Sequence, residues 1–249
     1  MAGKPMSAAG ARGSAKTAGI LDASAVRIGL LGVTTLLMFA DLAMIFMRMP
    51  VEQSTGNLFL IFYVHVPIAI VSFVAFFVTL CASVMYLISR KDVWDSIAHA
   101  AAEIGVLYIS LVLVTGSIWA KPANGVWWTW DPRLTTSLIL WLIYVGYLMV
   151  RAYATTPNQG ARFAAVVGII GFIDVPIVYL SAVWWRNAIH PNLYLGPLAP
   201  KGALNSEMAL GFLFSFVTFM SLFLYLLWER TSLKMDETAV KSLLDETGP

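Results

Sequence analysis

Three kinds of side chain in this 249-residue sequence are suited to chemistry, and they gather in a few short stretches. Four of the nine tryptophans, Trp119, Trp127, Trp128 and Trp130, fall within the thirteen residues from Trp119 to Asp131. Tryptophan at a membrane–water boundary is commonplace, because the ring is apolar and its N–H seeks a polar partner. Four so close together, beside basic groups, also make a flat apolar surface with a few polar atoms, which is the usual design of a ligand site. His65 lies in Tyr63-Val64-His65-Val66-Pro67, and His190 stands before Pro191 in a connecting stretch. Two neutral imidazoles on one membrane face can serve as axial ligands of a haem iron. Taken singly, His65 also fits a satisfied core histidine and His190 a solvated loop residue. Lys121, Arg133 and Arg186 flank these residues. They suit the two propionates of haem through charge-assisted hydrogen bonds, or else act as ordinary interfacial anchors. Asp131-Pro132-Arg133 spells a helix start, with Asp131 as N-cap and Pro132 at the first helical position. The cap role of Asp131 is compatible with a neighbouring cofactor.

These residues must be positioned by membrane-spanning helices. The chain is 59% hydrophobic and only 12% charged, with a mean hydropathy of +0.77, whereas a soluble domain carries roughly twice that charged fraction. Six apolar runs of spanning length fall at about Val26–Met47, Leu58–Ile88, Ile97–Ala120, Leu134–Val150, Phe163–Trp185 and Met208–Trp228. The expected fold is therefore all-α, a polytopic membrane protein with six transmembrane helices. Basic residues set its orientation. With both termini cytoplasmic, eleven of the 16 Lys and Arg residues lie inside, leaving Arg48, Lys121, Arg133, Arg186 and Lys201 outside. That places the Trp-rich segment, His65 and His190 on one outer face, and His99 alone on the cytoplasmic side.

The rest of the chain is read more simply. Residues 1–24, rich in Ala, Gly, Ser and Lys/Arg, are expected to form a disordered cytoplasmic tail. Residues 25–230 form the transmembrane domain, with the Trp loop at 119–136, and 231–249 a short cytoplasmic tail. The lone Cys81, inside an apolar run, makes no disulfide or covalent haem motif and reads as a small buried residue. Asp41 and Asp174 lie within spans, where acids are costly. They mark either a proton or substrate path or, favoured here, hydrogen bonding that glues helices together. His99 and Glu103, four apart, form an ordinary boundary pair.

The run Trp119-Ala120-Lys121-Pro122-Ala123-Asn124-Gly125-Val126-Trp127-Trp128-Thr129-Trp130-Asp131-Pro132-Arg133-Leu134-Thr135-Thr136 resembles the tryptophan-rich WWD signature of haem-handling proteins of cytochrome c assembly. Six spans, the Tyr-Val-His-Val-Pro segment, and Trp184-Trp185 followed by His190-Pro191 are most similar to the cytochrome c maturation protein C, or haem exporter protein C, family. The resemblance runs from about residue 25 to 230, and departs from the family's usual pattern at Ala120 (commonly Gly) and Thr136 (usually Ser), both small-for-small changes.

The resemblance implies a non-enzymatic role. It implies that haem b is bound non-covalently at the periplasmic face of the bacterial inner membrane between His65 and His190, against the WWD loop. It further implies that the haem is presented from there to a periplasmic haem chaperone, cytochrome c maturation protein E. The implied partners are two ATP-binding-cassette transporter subunits (maturation proteins A and B) and a small single-span subunit (protein D), in membrane lipid and without nucleic acid. Two other readings compete with this one. An electron-transfer membrane cytochrome would keep its haem, usually between histidines on facing helices inside the bundle. A permease subunit without haem would use the tryptophans only as anchors and tolerate loss of His65.

Overall fold

The computed structural model describes residues 8–50, 56–185 and 204–246, with side chains in the first helix from residue 25 onward. Every regular element among them is helical: α1 (Ala8–Met47), a 3-10 segment (Asn57–Ile61), α2 (Phe62–Ser89), α3 (Asp92–Asn124), α4 (Pro132–Ala152), α5 (Pro157–Gly171), α6 (Asp174–Trp184) and α7 (Ser206–Glu246). Six segments are long and apolar enough to cross a membrane: Ala25–Met47, Asn57–Ser89, Asp92–Asn124, Pro132–Ala152, Pro157–Ser181 and Ser206–Lys241. The protein is an all-α, six-span membrane protein, as expected from its hydropathy.

The boundaries differ in instructive places. Helix α1 continues upstream of its span to Ala8, where composition leads to the expectation of a disordered tail; the many alanines there are the strongest of helix formers. The third span runs on through Pro122 to Asn124, because a proline in a last turn removes only one ladder bond. The fifth span is two helices, broken at Phe172–Ile173. Pro176 has no N–H to give to the Phe172 carbonyl four residues back, and its ring crowds that group.

The core sits where α2, α3, α4, α5 and α7 meet, α2 packing along α3 and against α5 and α7. Tyr108, Tyr144 and Tyr147 are fully buried there. Two of them find backbone partners, Tyr108 donating to the Phe219 carbonyl at 3.2 Å and Tyr144 to the Gly168 carbonyl at 3.1 Å. Phe76 stacks on Tyr144 with ring centroids 3.8 Å apart. Gly105 makes room for it, since a Cβ there would stand 2.6 Å from the Phe76 ring. Close approach at small residues is the usual packing device between membrane helices. Helix α1 packs chiefly on α7 and leaves Leu36, Phe39 and Phe46 exposed.

Charged groups collect at the helix ends remote from the Trp loop. Arg151 makes a two-pronged pair with Asp95 at 2.6 and 2.5 Å, joining α4 to α3. Arg230 grips Glu103 at 2.5 and 2.9 Å, joining α7 to α3. Arg27 grips Glu229 at 2.8 Å through both nitrogens, joining α1 to α7. The boundary pair His99–Glu103 is present at 3.3 Å. Within the spans, Asp41 accepts a hydrogen bond from Ser215 at 2.7 Å, and so ties α1 to α7. Asp174, at the start of α6, keeps one buried oxygen without a partner among the described residues. Cys81 is exposed on the helix surface rather than buried, a correction to its expected place in the interior.

Candidate functional site

The site is built at the junction of α2 and α3. A short 3-10 segment leads into α2, and Pro67 lies inside that helix, where its missing N–H leaves the Tyr63 carbonyl without its ladder bond. This end of α2 is held by an aromatic knot. Phe59 and Phe62 stack at 5.0 Å, Tyr63 sits edge-on to both, and Phe212 of α7 closes the group. His65 follows the knot, half-buried and facing α3. Its Nδ1 lies 2.8 Å from the hydroxyl of Thr115. Its Cε1 lies 3.2 Å from where a Cβ on Gly116 would stand. Trp119 is one helical turn beyond Thr115, on the same side of α3.

The Trp loop is shaped largely by its own chain. Helix α3 ends at Gly125, which adopts φ 77° and returns its N–H to the Lys121 carbonyl at 2.9 Å. The Lys121 ammonium in turn donates to the Gly125 carbonyl at 2.9 Å. Helix α4 starts as the sequence leads one to expect. Asp131 is the N-cap, its Oδ1 accepting from the backbone N–H of Arg133 at 3.0 Å and of Leu134 at 3.2 Å, with Pro132 in the first turn. Its other oxygen accepts from the Thr129 hydroxyl at 2.7 Å. Asp131 is buried, and both carboxylate oxygens are engaged in holding the loop.

The tryptophans do not form one platform. Trp128 and Trp130 meet edge to face at 5.9 Å. With Leu113, Val114, Ser117, Ile118 and Leu138 they line an open apolar groove of about 570 Å³. At 100° per residue, the groove residues of α3 occupy the face opposite Thr115, Gly116 and Trp119, and hence opposite the His65 contact. Trp127 is 59% exposed and lines no part of that groove. Trp184 and Trp185 form a second exposed edge-to-face pair at 6.0 Å. Of the expected site residues, His65 and Trp119 are brought together on one face of α3, and Trp128 and Trp130 are turned away from it. Arg133 is half-buried in the first turn of α4. His190 and Arg186 lie outside the described residues.

The residues present suit haem better than a bare ion. Among the described residues, no group of three His, Cys, Asp or Glu could enclose a metal; a porphyrin brings its own four equatorial nitrogens and asks the protein only for axial ligands. Trp128 has a buried indole N–H with no partner among the described residues, but it lies on the groove side of α3, away from His65. Thr115 and Gly116 escaped sequence reading, since a Thr-Gly pair within an apolar helix carries no signal of what packs on it.

The family model described as Heme exporter protein C matches residues 14–244. A relative of that name from Haemophilus influenzae is 34% identical over 177 residues, covering 71% of this chain and 71% of its own length. The one from Paracoccus denitrificans is 30% identical over 195 residues, covering 78% and 80%. The match to the one from Rhodobacter capsulatus, 34% identical, covers 63% of this chain and 65% of that relative. A model match spanning nearly the whole bundle, together with relatives aligned over most of both chains, leads to one conclusion: this chain belongs to the Heme exporter protein C family.

Proposed function

We propose that this protein binds haem at the periplasmic face of the bacterial inner membrane and presents it to a periplasmic haem chaperone during cytochrome c maturation, as a non-enzymatic subunit of a haem export complex. The observation that carries the reading is His65, half-buried and fastened to α3 beside Trp119 in a member of this family. Both termini are cytoplasmic, by the distribution of basic residues, which places the charged belt of Asp95, Glu103, Arg151 and Arg230 on the inside.

Haem b, when bound, would supply the iron and two propionates. His65 and His190 would hold the iron. Trp119 and Trp127 offer ring faces beside it, while Trp128 and Trp130 shape the loop and its adjoining groove. Lys121, Arg133 and Arg186 neutralise the propionates; Lys121 does so by leaving the Gly125 carbonyl. Of the two, His190 would let go first, because His65 stands on a helix end pinned by the aromatic knot. The partners are maturation protein E as acceptor, the transporter subunits A and B, and the single-span protein D.

Absorption spectroscopy of the detergent-purified protein tests the reading. The expected spectrum is that of six-coordinate haem, lost in His65→Ala and in His190→Ala. A colourless preparation from haem-replete cells would refute it. A haem that stays bound and cycles between redox states in the presence of the chaperone would favour an electron-transfer protein instead.

A further inference from the structure

We propose that Thr115 and Gly116 are positioning residues for His65. The Thr115 hydroxyl holds the imidazole in the Nδ1–H tautomer and so assigns the metal-binding lone pair to Nε2, while the bare Cα of Gly116 lets the ring lie against α3. The inference rests on reading His65 as an iron ligand.

The proton inventory carries the argument. A hydroxyl has one hydrogen to give and lone pairs to receive. Thr115 Oγ1 lies 2.7 Å from the Leu111 carbonyl and 3.3 Å from that of Val112, the usual back-bond of a threonine inside a helix. Its hydrogen is thereby committed to the backbone, and only a lone pair remains for His65. The 2.8 Å contact to Nδ1 then runs from Nδ1–H to Oγ1. A neutral imidazole protonated on Nδ1 carries its free pair on Nε2. The Leu111 carbonyl polarises the hydroxyl, which makes it a better acceptor, and a hydrogen-bonded Nδ1–H makes the opposite nitrogen a stronger donor to iron.

Gly116 supplies the space. At 3.2 Å from Cε1, an alanine methyl would sit closer than ordinary van der Waals contact allows. The ring would have to withdraw from α3 by a few tenths of an ångström, lengthening the bond to Thr115. Adjacent residues of the facing helix thus give His65 a hydrogen bond and a steric seat.

The test uses the full-length protein in nanodiscs, loaded with haem, with haem loss timed by transfer to excess apomyoglobin and the haem midpoint potential measured in parallel. Removal of a partner to a metal-ligating histidine typically costs about 10- to 100-fold in affinity. Thr115→Val should therefore release haem about 10-fold faster or more and shift the potential upward, because a weaker imidazole donor stabilises ferric iron less. Thr115→Ser, which keeps the hydroxyl, should restore both values. Gly116→Ala should speed release as well. Should Thr115→Val fail to fold, Thr115→Ala and Gly116→Ala carry the same comparison. A Thr115→Val protein with unchanged release and potential overturns the proposal, as does a Thr115→Ser protein as defective as the valine variant. His65→Ala separates the two levels. If it keeps the six-coordinate spectrum, the ligand reading fails; if it loses that spectrum while Thr115→Val behaves as wild type, only the positioning inference fails.

Discussion

Removal of the Asp131 side chain distinguishes a helix cap from a haem contact, and the structure sets the size of the effect. In Asp131→Ala, the Arg133 and Leu134 amides lose their shared acceptor and the Thr129 hydroxyl loses its own. N-cap removal typically costs about 0.5–2 kcal/mol. Asp131 is only 6% exposed, so water replaces the lost acceptor poorly and the upper half of that range applies, about 1–2 kcal/mol. Asp131→Asn keeps a carbonyl oxygen for the two amides, and the Thr129 hydroxyl can turn to accept from the new amide; asparagine caps as well as aspartate. Amide hydrogen exchange at residues 133 and 134 reads the difference directly, since 1–2 kcal/mol of lost local stability speeds exchange about 5- to 30-fold. The alanine variant should show that acceleration and a haem spectrum weakened by a loosened loop, while the asparagine variant should show neither. If Asp131→Asn kept protected amides yet bound haem as poorly as Asp131→Ala, the carboxylate charge itself would be acting on the ligand, and the cap argument would be insufficient.

Two further outcomes follow from packing within the bundle. Arg151→Ala strands Asp95 at a partly buried interface between α3 and α4, and should lower stability by about 2–4 kcal/mol, near the range for breaking a buried pair; the double variant Arg151→Met with Asp95→Leu should recover most of it in the same denaturation assay, and a single variant as stable as wild type would show that the pair contributes nothing. For Asp41 and Ser215, a double-mutant cycle on Asp41→Ala and Ser215→Ala should yield a coupling of about 0.6 kcal/mol, the usual size for such bonds within a membrane. A coupling indistinguishable from zero would remove the hydrogen bond as the reason for an acid in the first span.

What sequence alone determined about this protein is what depends on short stretches of chain. Hydropathy sums over about twenty residues, so the six spans were legible. An N-cap reaches two and three residues ahead, so Asp131 announced its role. A salt bridge one helical turn long, His99 to Glu103, could be read by counting. The break at Phe172–Ile173 was half-legible through Pro176, but a proline marks strain without saying whether a helix bends or stops.

Tertiary structure decided everything that depends on which face of one helix meets another. His65 and Thr115 are fifty residues apart, and Arg27 and Glu229 two hundred and two; no spacing rule joins them, because helix register and packing, not sequence distance, bring such groups within hydrogen-bond range. The same cause divided the Trp motif. On paper, Trp119, Trp128 and Trp130 form one cluster. On α3, a rotation of 100° per residue leaves Trp119 on the side of His65, and the path of the capped loop sends Trp128 and Trp130 to the other side.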